Sequence, residues 1–260
     1  TAMILHPLRV NGLTMLDPKK PLHPKIQATF PRFFCILFRI YLYIYYTTMP
    51  KIHTCRDIPD ELVKSLKKDG IAMVDSEFTG LDVGKKGTDR LCLVQICDKQ
   101  SKEIFLVQPN TNFETPNLCV VLKDPDIQIV MHFARKDKSA IENFLKPNIK
   151  IQNLFDTKMA SRIVRKYSND HGLAALCQEF AGVRLEKRMA SSDWAKPISE
   201  YSEKEKAYAA GDVSHLFLIK TKLETMLKRE KKYDIFMKCM EFIDTRIELD
   251  NLGIDKIFDH

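Results

Sequence analysis

Two acidic residues stand one residue apart at the end of an apolar segment. In the stretch "IAMVDSEFTGL", residues 71–81, Asp75 and Glu77 follow four apolar residues that are typical of a buried strand. Residues two apart in an extended chain point to the same face, so the two carboxylates are predicted to lie side by side. Such a pair offers the hard oxygen ligands that divalent cations prefer, although a solvated strand end also explains an isolated pair.

Two further acids occupy helix faces that are predicted to pack on the core. Asp137 and Asp212 each share one face of a predicted helix with apolar residues at helical spacing. Tyr208 lies one turn before Asp212 on the same face. The apolar residues are Ala140, Ile141 and Phe144 for the first acid, and Leu216, Ile219 and Leu223 for the second.

Together, the four acids indicate a metal site. An ionised carboxylate on a core-facing surface costs more free energy than a marginally stable protein tolerates, unless it is paired or bound to a metal. Taken singly, Asp137 is explained by the helix dipole, and Asp212 by a bond to a nearby lysine. The sequence shows no obvious set of basic residues that would neutralise all four. Divalent cations are the simplest explanation, and Mg²⁺ or Mn²⁺ suits an all-oxygen site.

The segments around these acids predict an α/β fold. A helix over 57–70 ends at Gly70, a typical C-terminal signal. Three strands follow closely enough to pair as an antiparallel meander, and strands then alternate with helices, so we expect a mixed central sheet flanked by helices. The predicted strands are 71–77, 90–97, 103–108, 126–133 and 151–156, with a helix at 134–145 and mostly helices beyond.

Composition limits the function classes less than the motifs do. The formal net charge is +7, but residues 1–48 carry six basic residues against Asp17 alone, which leaves only +2 for the rest. Net charge therefore does not by itself predict a nucleic-acid partner for the folded part. The seven cysteines are odd in number and contain no CxxC pair, which favours a reducing, cytoplasmic location over a disulfide framework or a zinc site.

The first 48 residues differ from the rest of the chain. An aromatic run from Phe30 to Tyr46 is shorter than the roughly 20 apolar residues of a membrane span and contains Pro31, Arg32 and Arg39. We expect residues 1–48 to be an extension outside the fold, either sequence upstream of a natural start at Met49 or a membrane anchor. We expect a catalytic domain over 49–230 and a C-terminal helical tail over 231–260.

Several blocks of the sequence resemble the tyrosine branch of the DEDD (DnaQ-like) exonuclease superfamily. The blocks "VDSEFTG", "MHFARKD" and "YAAGD" resemble its three exonuclease motifs, and the likeness to ribonuclease D-like 3′–5′ exonucleases is closer still. It covers about residues 57–230. The related histidine branch has a histidine five residues before the last acid, where this chain has Ala207. The resemblance implies a ribonuclease H-like fold and two-metal hydrolysis of a phosphodiester.

The resemblance also implies a role for each of the acids. Asp75, Glu77 and Asp212 would bind one metal ion, and Asp75 would bridge to a second ion that Asp137 helps to hold through water. Tyr208 would hydrogen-bond the attacking water and either orient it or accept its proton. Orientation is the better-supported role, since an unperturbed phenol has a pKa near 10, unless a metal ion shifts that pKa.

Other residues are weaker candidates for contacts with substrate. Phe78, Thr79 and Gly80 follow the first motif where a 3′-terminal nucleotide would sit, although they are equally explained as a turn. Lys187 and Trp194 precede the last motif and are candidates for phosphate or base contacts, with packing an equal alternative for Trp194.

The chemistry favours a metal-dependent 3′–5′ exoribonuclease that releases nucleoside 5′-monophosphates in RNA processing or turnover. A DNA exonuclease of the same fold, of the proofreading or repair type, stays open because metal ions bind phosphate and not the 2′-hydroxyl. A non-catalytic nucleic-acid-binding protein is the alternative from another class. The expected partner is nucleic acid, RNA before DNA, with membrane contact only if residues 30–46 form an anchor. The oligomeric state does not follow from the sequence.

Overall fold

The computed structural model of the protein describes residues 9–10, 13–14, 50–80, 90–185 and 192–254. The chain divides into two compact units, Thr1–Pro50 and Lys51–His260. In the first, strands β1 (Arg9–Val10) and β2 (Leu13–Thr14) pair antiparallel. The aromatic run of the predicted extension, residues 30–46, lies outside the described residues. None of the described helices is both long and apolar enough to span a bilayer.

A six-stranded mixed sheet forms the centre of the second unit. Its spatial order is β3-β6-β5-β4-β7-β8. The pairs β4–β5 and β5–β6 are antiparallel, whereas β3–β6, β4–β7 and β7–β8 are parallel. The strands are β3 (Lys51–Cys55), β4 (Ile71–Phe78), β5 (Leu91–Cys97), β6 (Glu103–Val107), β7 (Gln128–Met131) and β8 (Leu154–Asp156).

Helices pack on this sheet and on one another. The longest, α8, packs against α3, α4 and α7 through Phe236, Met240, Ile243 and Ile247, so the C-terminal helix is part of the same unit as the sheet. The helices are α1 (Asp60–Asp69), α2 (Pro116–Leu122), α3 (Arg135–Phe144), α4 (Thr157–Val164), α5 (Leu173–Ala181), α6 (Glu203–Ser214), α7 (Leu216–Arg229) and α8 (Tyr233–Asn251), with a 3₁₀ turn at Ile198–Glu200.

The predicted fold class is confirmed, with two local differences. The edge strand β3 is absent from the predicted elements, because "KIHTC" has only one large aliphatic residue and pairs with a strand some fifty residues away. The region around Asp212 forms two helices and not one continuous helix, since α6 ends at Ser214 and α7 begins at Leu216. Gly70 ends α1 in the left-handed conformation at φ 64°, as its position predicted.

Candidate active site

Strand β4 brings the first two acids together at the centre of the sheet. It runs between β5 and β7, and its first four residues are fully or nearly fully buried. Such a strand is held on both edges, so the positions of Asp75 and Glu77 at its end are fixed by the sheet. One carboxylate oxygen from each of these two acids and one from Asp212 lie within 4.8 Å of one another.

Asp137 approaches the same place from another direction. It lies in the first turn of α3 and is only 7% exposed. The hydroxyl of Ser76, which sits between the two acids of β4, donates a hydrogen bond of 2.6 Å to Asp137 Oδ1. The charge of Asp137 acts on Asp75, so these two carboxylates are near each other. The group of three carboxylates that lie within 4.8 Å of one another does not include Asp137.

Helix α6 positions Asp212 and Tyr208 one turn apart. It begins with a capping box, in which Ser202 accepts from the backbone N–H of Glu205 and Glu205 accepts from the backbone N–H of Ser202. Lys196 Nζ lies 2.8 and 3.0 Å from the two Glu205 oxygens, and this hydrogen bond lowers the pKa of Glu205 to about 2. The start of the helix is thus fixed at physiological pH.

Trp194 packs against the ring of Tyr208. The indole is only 2% exposed and stacks on Tyr208, with ring centroids 6.0 Å apart, while Tyr201 meets it edge-on at 5.4 Å. The Tyr201 hydroxyl also donates to the Trp194 carbonyl at 2.6 Å. Trp194 is therefore a packing residue first, although it also lines a cleft of about 540 Å³ together with Arg56 and Arg90.

The four acids repel one another in a poorly solvated place. Burial, together with the charges of the other three acids, raises the pKa of Asp75 well above its usual range. Burial and neighbouring carboxylates raise the pKa of Glu77 to about 9 and that of Asp212 to about 7. The pKa of Asp137 rises to about 7, chiefly by burial and against the opposing effect of the Ser76 hydroxyl. Burial and the same acids also raise the pKa of Tyr208, which keeps the phenol protonated at neutral pH.

The donor set fits divalent cations. Within the part of the chain that the structure describes, none of the four acids forms an ion pair with a lysine or an arginine. Like charges held together without a counter-charge are destabilising unless protons or cations bind them. The ligands are all carboxylate oxygens, as Mg²⁺ and Mn²⁺ prefer. Among the residues that the structure describes, no histidine or cysteine joins the group, as zinc would favour.

The expected substrate contacts differ in where the structure places them. Phe78 ends β4 and packs partly against the core. Thr79 is exposed, and its hydroxyl accepts a hydrogen bond of 3.0 Å from the backbone N–H of Arg90, so it helps to hold together the ends of β4 and β5. Gly80 follows as a half-buried bend. Lys187 lies outside the described residues.

Asp156 is a supporting residue whose full role the sequence did not reveal. It caps α4, with its side chain accepting from the backbone N–H groups of Lys158 and Met159. The same carboxylate also accepts from the backbone N–H groups of Phe133 and Ala134, at 3.1 and 2.9 Å. It thereby ties the end of β8 to the turn that leads into α3 and Asp137. The sequence signal for the helix cap is an aspartate between a strand and a helix. The other donors, the backbone N–H groups of residues 133 and 134, are distant in sequence, so no local pattern indicates them.

Comparison with known proteins identifies the chain. A family model described as "3'-5' exonuclease" matches residues 50–228. The chain belongs to this 3′–5′ exonuclease family. Ribonuclease D of Gluconacetobacter diazotrophicus is 30% identical over 174 residues, which are 66% of this chain and 42% of that protein. The resemblance expected from the motifs is therefore confirmed.

Solved structures of NrnC and of RNase D share the fold. Brucella melitensis NrnC with bound Mg²⁺ is 32% identical with a TM-score of 0.70, and the match covers 81% of this chain and 99% of that one. The same protein bound to pGG gives a TM-score of 0.72 and coverage of 82% and 100%. Escherichia coli RNase D, at 22% identity and a TM-score of 0.61, is similar in fold over 76% of this chain and 50% of that one. The chain spans between 22 and 48% of the curated relatives that it matches.

Proposed function

We infer that this protein is a divalent-metal-dependent 3′–5′ exoribonuclease that releases nucleoside 5′-monophosphates. The observation that carries the inference is the group of close, unneutralised carboxylates on β4 and α6, with Tyr208 one helical turn from Asp212. RNA is favoured over DNA because the relatives include proteins named ribonuclease D and an NrnC structure bound to pGG.

Each side chain has a distinct task in this reaction. Asp75, Glu77 and Asp212 would hold one divalent ion, and Asp75 with Asp137 the second. When bound, the two ions would activate the attacking water and stabilise the charge on the phosphate and on the leaving oxygen. The rigid sheet fixes the carboxylates, so little reorganisation is needed when substrate binds.

Tyr208 orients the attacking water. Its pKa is raised by burial and by the neighbouring acids, so the hydroxyl keeps its proton at neutral pH. A protonated phenol can accept one hydrogen bond from water and donate another to the phosphate. Because the ring is held against Trp194, the direction of the hydroxyl is limited.

The test uses a 5′-labelled RNA oligonucleotide, a DNA of matched sequence and pGG, each with Mg²⁺, Mn²⁺ or EDTA. We expect RNA to shorten from its 3′ end, with nucleoside monophosphates as products, and we expect EDTA to abolish the reaction. Asp75→Asn should be inactive, whereas Glu241→Gln, which changes an exposed acid on α8, should behave like wild type. Faster shortening of DNA would support a DNA exonuclease, and no cleavage of any substrate with binding intact would support a binding protein.

A further inference from the structure

A second pocket lies beside the carboxylate site, where the start of α3 meets α4 and α8. Its volume is about 370 Å³. Phe133, Met159, Phe242 and Ile243 give it an apolar and partly aromatic floor, and the rim is basic. The basic residues that line it are Arg135, Arg162, Lys238 and Arg246, with Lys158 close by at the ring of Phe133. We call this the α4–α8 pocket.

The positive charge of the α4–α8 pocket is only partly balanced. Asp250 forms an ion pair of 3.0 Å with both Arg135 and Arg246, so one carboxylate balances two guanidinium groups. Asp156, an acid that lines the pocket, is 3% exposed, and its oxygens accept hydrogen bonds from four backbone N–H groups. Among the described residues, Lys158, Arg162 and Lys238 form no ion pair with an acid.

Lys158 and Arg162 stand close enough to repel each other. Burial lowers the pKa of Lys158, and the charges of Arg162 and Arg135 lower it further, against the opposing effect of Asp156 and Asp170. Placing an anion among them would relieve this repulsion and form charge-assisted hydrogen bonds. A cation does not fit, because no free carboxylate of the described residues lines the pocket.

Phe133 gives the pocket a second recognition element. Its backbone has a φ of 64°, uncommon for a bulky residue, and two hydrogen bonds through Asp156 hold the turn in that conformation. The ring is 39% exposed, with Lys158 Nζ 3.7 Å from its centroid and the Arg135 guanidinium carbon at 5.7 Å. A rigid, exposed aromatic ring flanked by cations is the arrangement that stacks a base and binds its phosphate.

We propose that the α4–α8 pocket is a nucleotide subsite that holds an upstream nucleotide of the RNA strand, its phosphate on the cations and its base on Phe133. Arg135, which lines the pocket, lies two residues before Asp137 in the first turn of α3. Asp156, which also lines the pocket, holds the turn that leads into that helix. A strand with its 3′ end among the carboxylates can therefore continue to the pocket, which takes the third or a later nucleotide, beyond the two that pGG supplies. This proposal rests on the proposed exoribonuclease function.

The first measurement is the affinity for an RNA of about 12 nucleotides, a length that spans one binding groove. Binding is followed by fluorescence anisotropy in EDTA, so it does not depend on hydrolysis. The double variant Arg162→Ala/Lys238→Ala removes two rim cations, and the control Lys67→Ala/Lys68→Ala removes two exposed cations from α1. We expect only the rim variant to weaken binding. Its salt dependence should be shallower, by about 0.7 in the log–log slope for each RNA phosphate that the rim no longer neutralises.

A substitution of the ring separates stacking from charge. Phe133→Leu keeps an apolar side chain at the same backbone position and should lower RNA affinity roughly fivefold or more, whereas Phe133→Tyr should keep it. Thermal melting of both variants would check that the turn is intact. Equal affinity of the Leu variant and the wild type would overturn the stacking half of the proposal.

The kinetic test separates this proposal from the proposed function. In Mg²⁺, the rim variant should raise KM for the long RNA several-fold and leave the hydrolysis of pGG unchanged, because a dinucleotide does not extend to the pocket. An equal loss on pGG, or no loss on either substrate, would overturn the subsite.

If 5′-UMP alone lost affinity for the rim variant while long RNA did not, the pocket would be a site for free nucleotide instead. A wild type that cleaves neither substrate would refute the exonuclease, while the anisotropy result would still report on the pocket.

Discussion

Replacing Asp212 with asparagine should stabilise the protein without metal while it removes activity. In the absence of a cation, the close carboxylates on β4 and α6 oppose one another. Burial and the charge of Asp137 raise the pKa of Asp212 from 3.8 to about 7. For an acid whose pKa is higher in the folded state, the folded protein holds more protons than the unfolded one between those two values. Stability should therefore fall as pH rises from about 4 to about 7 and stay low above it.

The size of the effect follows from the same shift. A carboxyl whose pKa moves from 3.8 to about 7 loses on the order of 4 kcal/mol of folding free energy once it is ionised. The acids titrate together, so part of this loss passes to the remaining partners when one is removed. We expect Asp212→Asn to recover about half, roughly 2 kcal/mol, which corresponds to a rise in Tm of about 4–8 °C for a domain of this size.

The assay is thermal melting in EDTA at pH 5 and pH 8, repeated at pH 8 with excess Mg²⁺. The wild type should melt lower at pH 8 than at pH 5 in EDTA, and Mg²⁺ should reverse much of that loss. Asp212→Asn should show a smaller pH effect and a weaker response to Mg²⁺. Glu241→Gln, an exposed acid on α8, should follow the wild type. An Asp212→Asn Tm at or below that of the wild type at pH 8 in EDTA would refute the reasoning.

Three further substitutions test individual parts of the structure. Tyr208→Phe should lower kcat about a hundredfold with little change in KM, because it removes the orienting hydroxyl and keeps the ring on Trp194. Single-turnover kinetics would check this, and an unchanged kcat would exclude the orienting role. Asp156→Ala should destabilise the protein by about 3 kcal/mol in urea, since it uncaps α4 and leaves two further backbone N–H groups without their acceptor. Lys138→Met should cost about 3–5 kcal/mol, because Lys138 is 2% exposed and pairs with both Glu142 and Asp244; a loss below 1 kcal/mol would show that water replaces the ammonium.

The sequence was sufficient for features that depend on local pattern. Apolar runs followed by acids predicted the end of β4, and the glycine signal predicted the end of α1. Asp137 was predicted to face the core from its spacing with Ala140 and Ile141, and all three are buried. These features were predictable because strand alternation and helical spacing act over a few residues.

Features that depend on distant pairing were not predictable in the same way. The order of the sheet places β4 between β5 and β7, and β3 at one edge beside β6, which no local pattern specifies. The bond from Ser76 to Asp137 joins residues 61 positions apart. Trp194 illustrates the same limit, because sequence spacing gave substrate contact and packing equal weight, and only the folded chain shows its ring enclosed by two tyrosines.

The turn at Phe133 links the carboxylate site to the α4–α8 pocket through one buried aspartate. Asp156 accepts from the backbone of residues 133 and 134 on one side and from the first turn of α4 on the other. That turn leads directly into the helix that carries Asp137, and its exposed ring forms part of the pocket floor. A change that moves this turn should therefore affect metal binding and RNA affinity together, whereas a change to Arg162 or Lys238 on the rim should affect RNA affinity alone. Measuring both quantities in Asp156→Asn and in the rim variant would separate the support of the site from the recognition of the strand.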